Sequence, residues 1–496
     1  MSGSRYVAVD LGAESGRVMV GTLLDGRLVL DEVHRFANIP VRTPDGLHWD
    51  VLRLYHEIVT GLRAVTQRFG KDIAGIGIDS WGADYGLLDA GGRLLGNPYH
   101  YRDARTDGIP EGAARLVPAA TQYARTGIAQ LTFNTIYQLM AEVRSRDRRL
   151  EQATSLLLIP DLLHYWLSGE VATEYTNATT TGMLGADGAW AIDLLARLDV
   201  PTHMLLSPTP AGSILGKLCS GVQAECGLGP APVISPATHD TAGAVAAVPM
   251  HGRGMESLYI SSGTWSLAGL ELKQPILGEE ARLAGFTNEG GFGGTFRFLT
   301  NIMGLWLVQE CRRAWVRAGS DWSYDDLTAA AAATPSPGVA IDVNDPAFMH
   351  PENMPAALAA QLARTGQGQL DSVVMIVRAI LESLAVKYRF ALESAERLAG
   401  TSVGVIHIVG GGSHNRLLCQ LTADACKRPV LAGPAEATAM GNVLVQAIGR
   451  GEVRDLAEAR AVVRNSAQPA IYEPSGDGRL DVLYGRLLSL QSVARG

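Results

Sequence analysis

Residues 6–21 read "YVAVDLGAESGRVMVG": two apolar runs joined by a turn with an acid, Asp10, at its entry and glycines at both ends. Runs this short, bounded by turn formers, predict two strands of a sheet. The plan recurs at residues 257–272, "SLYISSGTWSLAGLEL", where a glycine-containing turn again joins two apolar runs. Each half of the chain therefore opens on a strand–turn–strand unit, a weak internal duplication rather than a repeat array.

Outward from the first unit, "RLVLDEVHRF" predicts a third strand, reached through the turn "LDGR". Apolar residues at helical spacing predict a helix over 50–69, and "IAGIGIDSWG" a further strand. Strands alternating with helices indicate an α/β chain. The second half adds a long amphipathic helix over 370–398, then "VGVIHIVGGGSHN" and "LLCQLTADACKRPVLAG". Periodicity lapses in "VPMHGRG", so the boundary is expected at 249–254, giving domains 1–249 and 250–496. Residues 334–355, "TPSPGVAIDVNDPAFMHPENMP", carry too much Pro and Asn for regular structure and are expected to form an ordered surface loop.

Bulk properties narrow the function class. The 496 residues exceed one hydrophobic core. A net charge of -8 argues against a general nucleic-acid binder, which needs a basic face. No apolar stretch reaches the ~18 residues of a membrane span, and "MSGSRYVAVDLG" leaves no room for a signal peptide. The five cysteines form no CxxC pattern. The expectation is a cytoplasmic protein with reduced thiols and no membrane or nucleic-acid partner; oligomeric state is not legible.

Three glycine-rich segments follow apolar strands: "VAVDLGAESGR", "YISSGTWS" and "HIVGGGSHN". Each alone can be a hairpin or a strand-to-helix turn. Together they suit a phosphate chain, which needs backbone amides at close range. None is a GxxxxGK[ST] loop. Asp10 can brace its turn or hold a magnesium ion through water. In "GIDSWGADYG", Trp81 between Asp79 and Asp84 can cover a sugar face or fill a core. Asp240, in "SPATHDTAGAV", can cap a helix or take a proton from a substrate.

The stretches "VAVDLGAESGRVMVG", "IGIDSWGADYGLLD", "YRDARTDG", "EYTNATTT", "THDTAGAV", "YISSGTWSL", "TNEGG", "NIMGLWLVQ" and "HIVGGGSHN" together resemble the FGGY carbohydrate kinases, in collinear order over residues 6–446. The resemblance implies two actin-like (ribonuclease H-like) α/β domains flanking an interdomain cleft, with sugar mainly on the first and nucleotide mainly on the second. It implies ATP, Mg²⁺ and a small ketose as ligands, with L-rhamnulose phosphorylated at C1 and fuculose, xylulose or glycerol as alternatives. An actin- or chaperone-like ATPase switch is the rival class.

Residue by residue, the match places Ala13, Glu14, Ser15, Gly16 and Arg17 against the ATP phosphates, joined by Thr264, Gln309 and Gly411. It places Gly82, His239, Asp240, Thr241 and Asn301 on the substrate, with Asp240 as proton acceptor. Asp79 and Trp81 are added as candidate sugar contacts, and Asp10 as the metal residue. Where a small hydroxyl residue is expected, this chain has Glu14, an acid that would repel triphosphate unless it points outward or meets magnesium.

Overall fold

A computed structural model describes residues 3–250, 256–320, 322–476 and 478–493. The described residues fall into two compact units. The first comprises the chain up to Pro249 with Glu271–Phe298 and Ala437–Ala467; the second comprises Met250–Leu270, Leu299–Glu436 and the chain from Gln468. Most of the expected boundary segment, at 251–255, lies outside the described residues.

The first unit is built on a six-stranded sheet from β1 (Ser4–Leu11), β2 (Ser15–Leu24), β3 (Arg27–Ala37), β4 (Gly75–Ser80), β5 (Ser213–Lys217) and β6 (Pro232–Ser235), in the order β5-β6-β4-β1-β2-β3. β1, β2 and β3 form an antiparallel meander, as the opening stretch predicts. The β2–β3 turn uses Asp25 and Gly26, both at positive φ (50° and 69°), matching the right-handed twist of the strands. β1, β4 and β6 run parallel, so their carboxyl ends lie along one edge. The helix Val51–Phe69 follows β3, its first turn capped by the Asp50 carboxylate, which accepts from the Arg53 amide. It buries Leu54, Ile58, Leu62 and Val65 against the core that includes Val7, Val9, Val18 and Ile78.

In the second unit, β7 (Ser257–Ser262) and β8 (Ser266–Leu272) pair antiparallel, repeating the opening hairpin. β9 (Val405–Val409) joins β7 in parallel, followed by β10 (Val430–Ala432) in parallel and β11 (Ala470–Tyr472) in antiparallel. The long helix runs from Val373 to Ala399, its N-terminus capped by Ser372.

The segment 334–355 differs from its expectation. It is irregular but not a surface loop: Val339, Ala340, Ile341, Val343 and Phe348 are buried. Side-chain partners replace a strand neighbour there. Gln367 accepts from the Ala340 amide and donates to its carbonyl, the Ile341 amide donates to Ser383 Oγ, and the Asp342 amide donates to Gln361. Irregular backbone can be buried when its polar groups are met in this way. All five cysteines are free, and no helix of the described residues is long and apolar enough to cross a membrane.

Candidate active site

Three acids meet at the carboxyl edge of the first unit's parallel strands. Asp10 and Asp79 are register partners on β1 and β4, and Ser80 bridges to His239, one residue before Asp240. Each strand thus delivers one carboxylate to the same edge. The helix Asp240–Ala246 begins at Asp240 itself, with His239 at the N-cap. Asp240 is therefore the first helical residue and not the cap; its Oδ1 accepts from the amide and hydroxyl of its neighbour Thr241. About a third of its side chain, 31%, stays open to solvent, against 7% for Asp10.

Burial, with repulsion from Asp10, holds the Asp240 carboxyl above the usual carboxylate range, against a downward pull from His239. Asp79 is fully buried and lies well above that range, through burial and then through repulsion from Asp10, with Asp240 adding to it. Asn442 donates to its Oδ2 at 2.5 Å, while Oδ1 has no hydrogen-bond partner among the described residues. Asp10 pairs with Arg17 across the β1–β2 hairpin. That hairpin's turn is closed by a bond from Gly12 N to Ser15 O and held by Asn38, which donates to the carbonyls of Gly12 and Glu14. Ala13, Glu14 and Ser15 lie on this turn, half-buried, and Gly16 begins the β2 ladder.

His239 has partners that the sequence did not announce. Arg297, fully buried, lies 3.0 Å from its Nδ1, and Glu289 lies 3.3 Å from the same atom. Arg297 and Glu289 thus both meet the ring on its Nδ1 side, while Nε2 lies 3.5 Å from Asp240 Oδ1. Burial would raise the Glu289 carboxyl, but Arg297 and His239 outweigh it and hold it low. The stretch "TNEGG" holds Glu289, but nothing in the sequence singles out Arg297.

The acid pair around Trp81 separates. Asp84 is buried and accepts from the indoles of Trp49 (2.6 Å) and Trp81 (3.0 Å), from Tyr101 N and from Gln138. Trp81 stacks on Trp49 with ring centroids 4.0 Å apart and sits in the main core, so its N–H is already engaged. Ala83, between Gly82 and Asp84, has φ 72°, a conformation that L-residues rarely adopt. Hydroxyls of Thr135 and Thr180 bond its carbonyl and amide, which holds the turn. A Cβ on Gly82 would fall 2.8 Å from Thr180 Oγ1, so glycine is required there for packing alone.

In the second unit, the β7–β8 turn carries Thr264, whose carbonyl accepts from Trp306 N, while Gly263 O accepts from Leu305 N. Gln309 follows on the helix Trp306–Arg317, and its Oε1 is buried with no hydrogen-bond partner among the described residues. Asn301 closes onto Asn344, which donates to its carbonyl. The triple glycine after β9 divides by role. Gly410 has φ 82°, and Cβ atoms on Gly410 and Gly412 would collide with Ser262, whereas Gly411 is exposed with nothing within 4 Å of a Cβ. Gly411 alone leaves open space for a ligand.

Two α/β units, each opening on a hairpin whose turn offers backbone amides, with an open carboxylate on one, describe a phosphoryl-transfer enzyme. Residues 5–247 match the N-terminal domain and residues 258–450 the C-terminal domain of the FGGY family of carbohydrate kinases. The chain belongs to that family. It is 40% identical over 480 residues to a rhamnulokinase of Bacteroides thetaiotaomicron, covering 97% of this chain and 98% of the relative. A rhamnulokinase of Enterococcus faecalis is 41% identical over 473 residues, 94% of each chain. Among solved structures, a ligand-bound xylulose kinase from Lactobacillus acidophilus superposes with a TM-score of 0.80 at 17% identity, covering 99% of both chains. A Plasmodium falciparum glycerol kinase with ADP gives 0.76 at 15% identity, covering 100% of this chain and 98% of that one. These likenesses show the actin-like fold of sugar kinases.

Proposed function

We propose that this enzyme transfers the γ-phosphoryl group of ATP to the C1 hydroxyl of L-rhamnulose, giving ADP and L-rhamnulose 1-phosphate. The observation that carries the reading is Asp240, a part-open carboxylate with raised proton affinity that opens the helix after β6. The choice of ketose is supported by the relatives named rhamnulokinase, about 40% identical over nearly the whole chain.

In the proposed reaction the C1 oxygen attacks the γ-phosphorus in line, the bond from phosphorus to the β,γ-bridging oxygen breaks, and Asp240 accepts the hydroxyl proton late in transfer. Such base catalysis is typically worth ~10²–10⁴ in rate. His239, whose Nε2 lies 3.5 Å from Asp240 Oδ1, steadies that carboxylate, and Gly82, Thr241 and Asn301 join it in binding the ketose, with Asp79 and Trp81 behind them. The amides of residues 13–17 and of Thr264 meet the phosphates, while Gln309 and Gly411 receive the rest of the nucleotide. Residues 1–249 carry most of the sugar contacts and 250–496 most of the nucleotide contacts in this reading.

The oxygen donors and mutual repulsion of Asp10, Asp79 and Asp240 suit a hard divalent cation such as Mg²⁺. Asp10, which pairs with Arg17, would hold the ion through water, because Mg²⁺ keeps much of its hydration shell, and the ion would supply charge neutralisation at the phosphates.

ADP release measured against a panel of ketoses, aldoses and polyols tests the assignment. L-rhamnulose should give the highest kcat/KM and L-rhamnose essentially none, since sites that bond specific hydroxyls can reject analogues by ~10⁴-fold. A better rate with glycerol or xylulose would overturn the ketose, and ATP turnover indifferent to every sugar would revive the switch ATPase.

A further inference from the structure

Glu174 opens the stretch "EYTNATTT" and is fully buried. Its carboxylate accepts from the amide and hydroxyl of Thr176 (2.8 and 2.6 Å), from Asn177 N (3.1 Å), and from the amide and hydroxyl of Thr238 (3.1 and 2.9 Å). Every one of these donors is neutral. Burying a carboxylate without a cation is costly unless its hydrogen bonds are complete. An N-cap needs only the Thr176 and Asn177 amide bonds, and the helix that Glu174 caps, Tyr175–Ala178, is only four residues long. The two bonds to Thr238 serve something else.

Thr238 stands two residues before Asp240, and its remaining group is fixed as well: the Thr238 carbonyl accepts from Ser80 N at 2.9 Å and from Asn177 Nδ2 at 3.5 Å. The next amide, His239 N, donates to Thr176 Oγ1 at 3.4 Å, and that hydroxyl in turn donates to Glu174. The backbone leading into Asp240 is thus anchored to a single buried carboxylate. From these bonds we infer that Glu174 is a positioning residue: it fixes the Thr238–His239 backbone and thereby aims Asp240 at its substrate. The inference rests on Asp240 being the base of the proposed reaction.

Four proteins test it: wild type, Glu174→Gln, Asp240→Asn and the double variant, each assayed for ADP release with L-rhamnulose and for thermal midpoint. Both Thr238 bonds, the Asn177 N bond and the Thr176 hydroxyl bond fall on Oε2, and the Thr176 amide bond on Oε1. The amide of Gln has one oxygen. With its nitrogen at the Oε2 position it opposes Thr238 N and Asn177 N, and with its nitrogen at the Oε1 position it opposes Thr176 N and loosens the same anchor. In the wild-type background kcat should fall ~10–100-fold, the range a misplacement of about 1 Å can produce, while the KM for MgATP changes less than about twofold. In the Asp240→Asn background the same change should cost less than about threefold, because residues acting as one unit are non-additive. Equal losses in both backgrounds, or an unchanged kcat, would overturn the inference. If Glu174→Gln does not fold, Thr238→Ala, which removes one of the five bonds, should still lower kcat several-fold, and an unchanged kcat there would overturn it equally. Asp240→Asn read alone tests the base itself, so the two ideas can fail separately.

Discussion

Two glycines at one helix crossing should answer oppositely to alanine. The helices Asp240–Ala246 and Ala437–Gly449 cross within the first unit, and a Cβ built on Gly441 falls 2.6 Å from the Gly243 carbonyl carbon and closer still to its oxygen. Ordinary contact begins near 3.4 Å, so the helices must part by at least 0.8 Å, the difference between 3.4 and 2.6, and by about 1.5 Å once the oxygen is included. The obstacle is backbone and cannot rotate away. Overpacking of this kind costs up to ~3 kcal/mol, offset by the ~1 kcal/mol that alanine gains over glycine inside a helix. The net loss of about 2 kcal/mol corresponds to a midpoint lowered by about 4–8 °C at ~2–4 °C per kcal/mol. Because Asp240 is the first residue of the displaced helix, kcat for sugar phosphorylation should fall by up to ~10²-fold as well. Gly243→Ala is the control: its Cβ would meet Thr438 O at 3.4 Å, so stability should hold or rise by up to ~1 kcal/mol. Calorimetry and steady-state kinetics on both variants decide it. A Gly441→Ala enzyme with normal midpoint and kcat, or a Gly243→Ala enzyme equally damaged, would refute the crossing argument.

Asp240→Asn should leave MgATP affinity intact and lower kcat by at least ~10²-fold; in wild type the raised carboxyl places the acid limb of the kcat/KM profile above the ordinary aspartate range, and a limb near pH 4 would contradict it. Gly411→Val, filling open space, should weaken ATP binding in titration calorimetry without moving the thermal midpoint, whereas Gly412→Val should lower the midpoint by colliding with Ser262. Burial pushes the Asp84 carboxyl up to about 6, against hydrogen bonds from Trp49, Gln138 and Trp81. The folded state therefore holds a proton that the unfolded chain has released, and stability should decline by up to about 3 kcal/mol as pH rises from about 4 to 6. Denaturant titrations across that window should show Asp84→Asn gaining that amount relative to wild type; a constant difference would show that Asp84 does not titrate there.

The succession of the first three strands was legible because its signals are local. Apolar runs broken by "LDGR" and by the turn at residues 12–14 needed no tertiary help to become β1, β2 and β3. Asp50 capped its helix for the same reason. Asp240 was harder: an acid at a strand-to-helix turn has a local explanation as a cap, and only the structure shows it one residue inside the helix, beside His239. The segment 334–355 misled because its composition describes backbone irregularity, whereas burial depends on Gln361, Gln367 and Ser383 arriving from elsewhere. Arg297 looks like any charged residue in a strand until its fully buried guanidinium is found against His239.

The glycines of "GIGID" join these two kinds of information. Locally they weaken a strand, since glycine lacks a side chain to pack. A Cβ on Gly75 would lie 2.7 Å from Gln446 Oε1, and one on Gly77 2.8 Å from Gln446 Nε2 and 2.9 Å from Asn442 Oδ1. The strand is bare on that side so that two amide side chains can lie flat across it. Gln446 donates to the Val7 carbonyl and to Asn442 Oδ1, which leaves the Asn442 amide nitrogen to reach Asp79 and Gly77 O. The order of donors matters: Gln446 fixes which end of Asn442 faces the acid, and a flipped Asn442 would oppose its oxygen to a carboxylate. Asp79 thereby keeps one satisfied oxygen and one directed elsewhere, beside Asp10, at the same sheet edge as Asp240. Residues separated by more than 360 positions thus settle how the central acid of the site is held, and that is why the Asp was visible in the sequence while its environment was not.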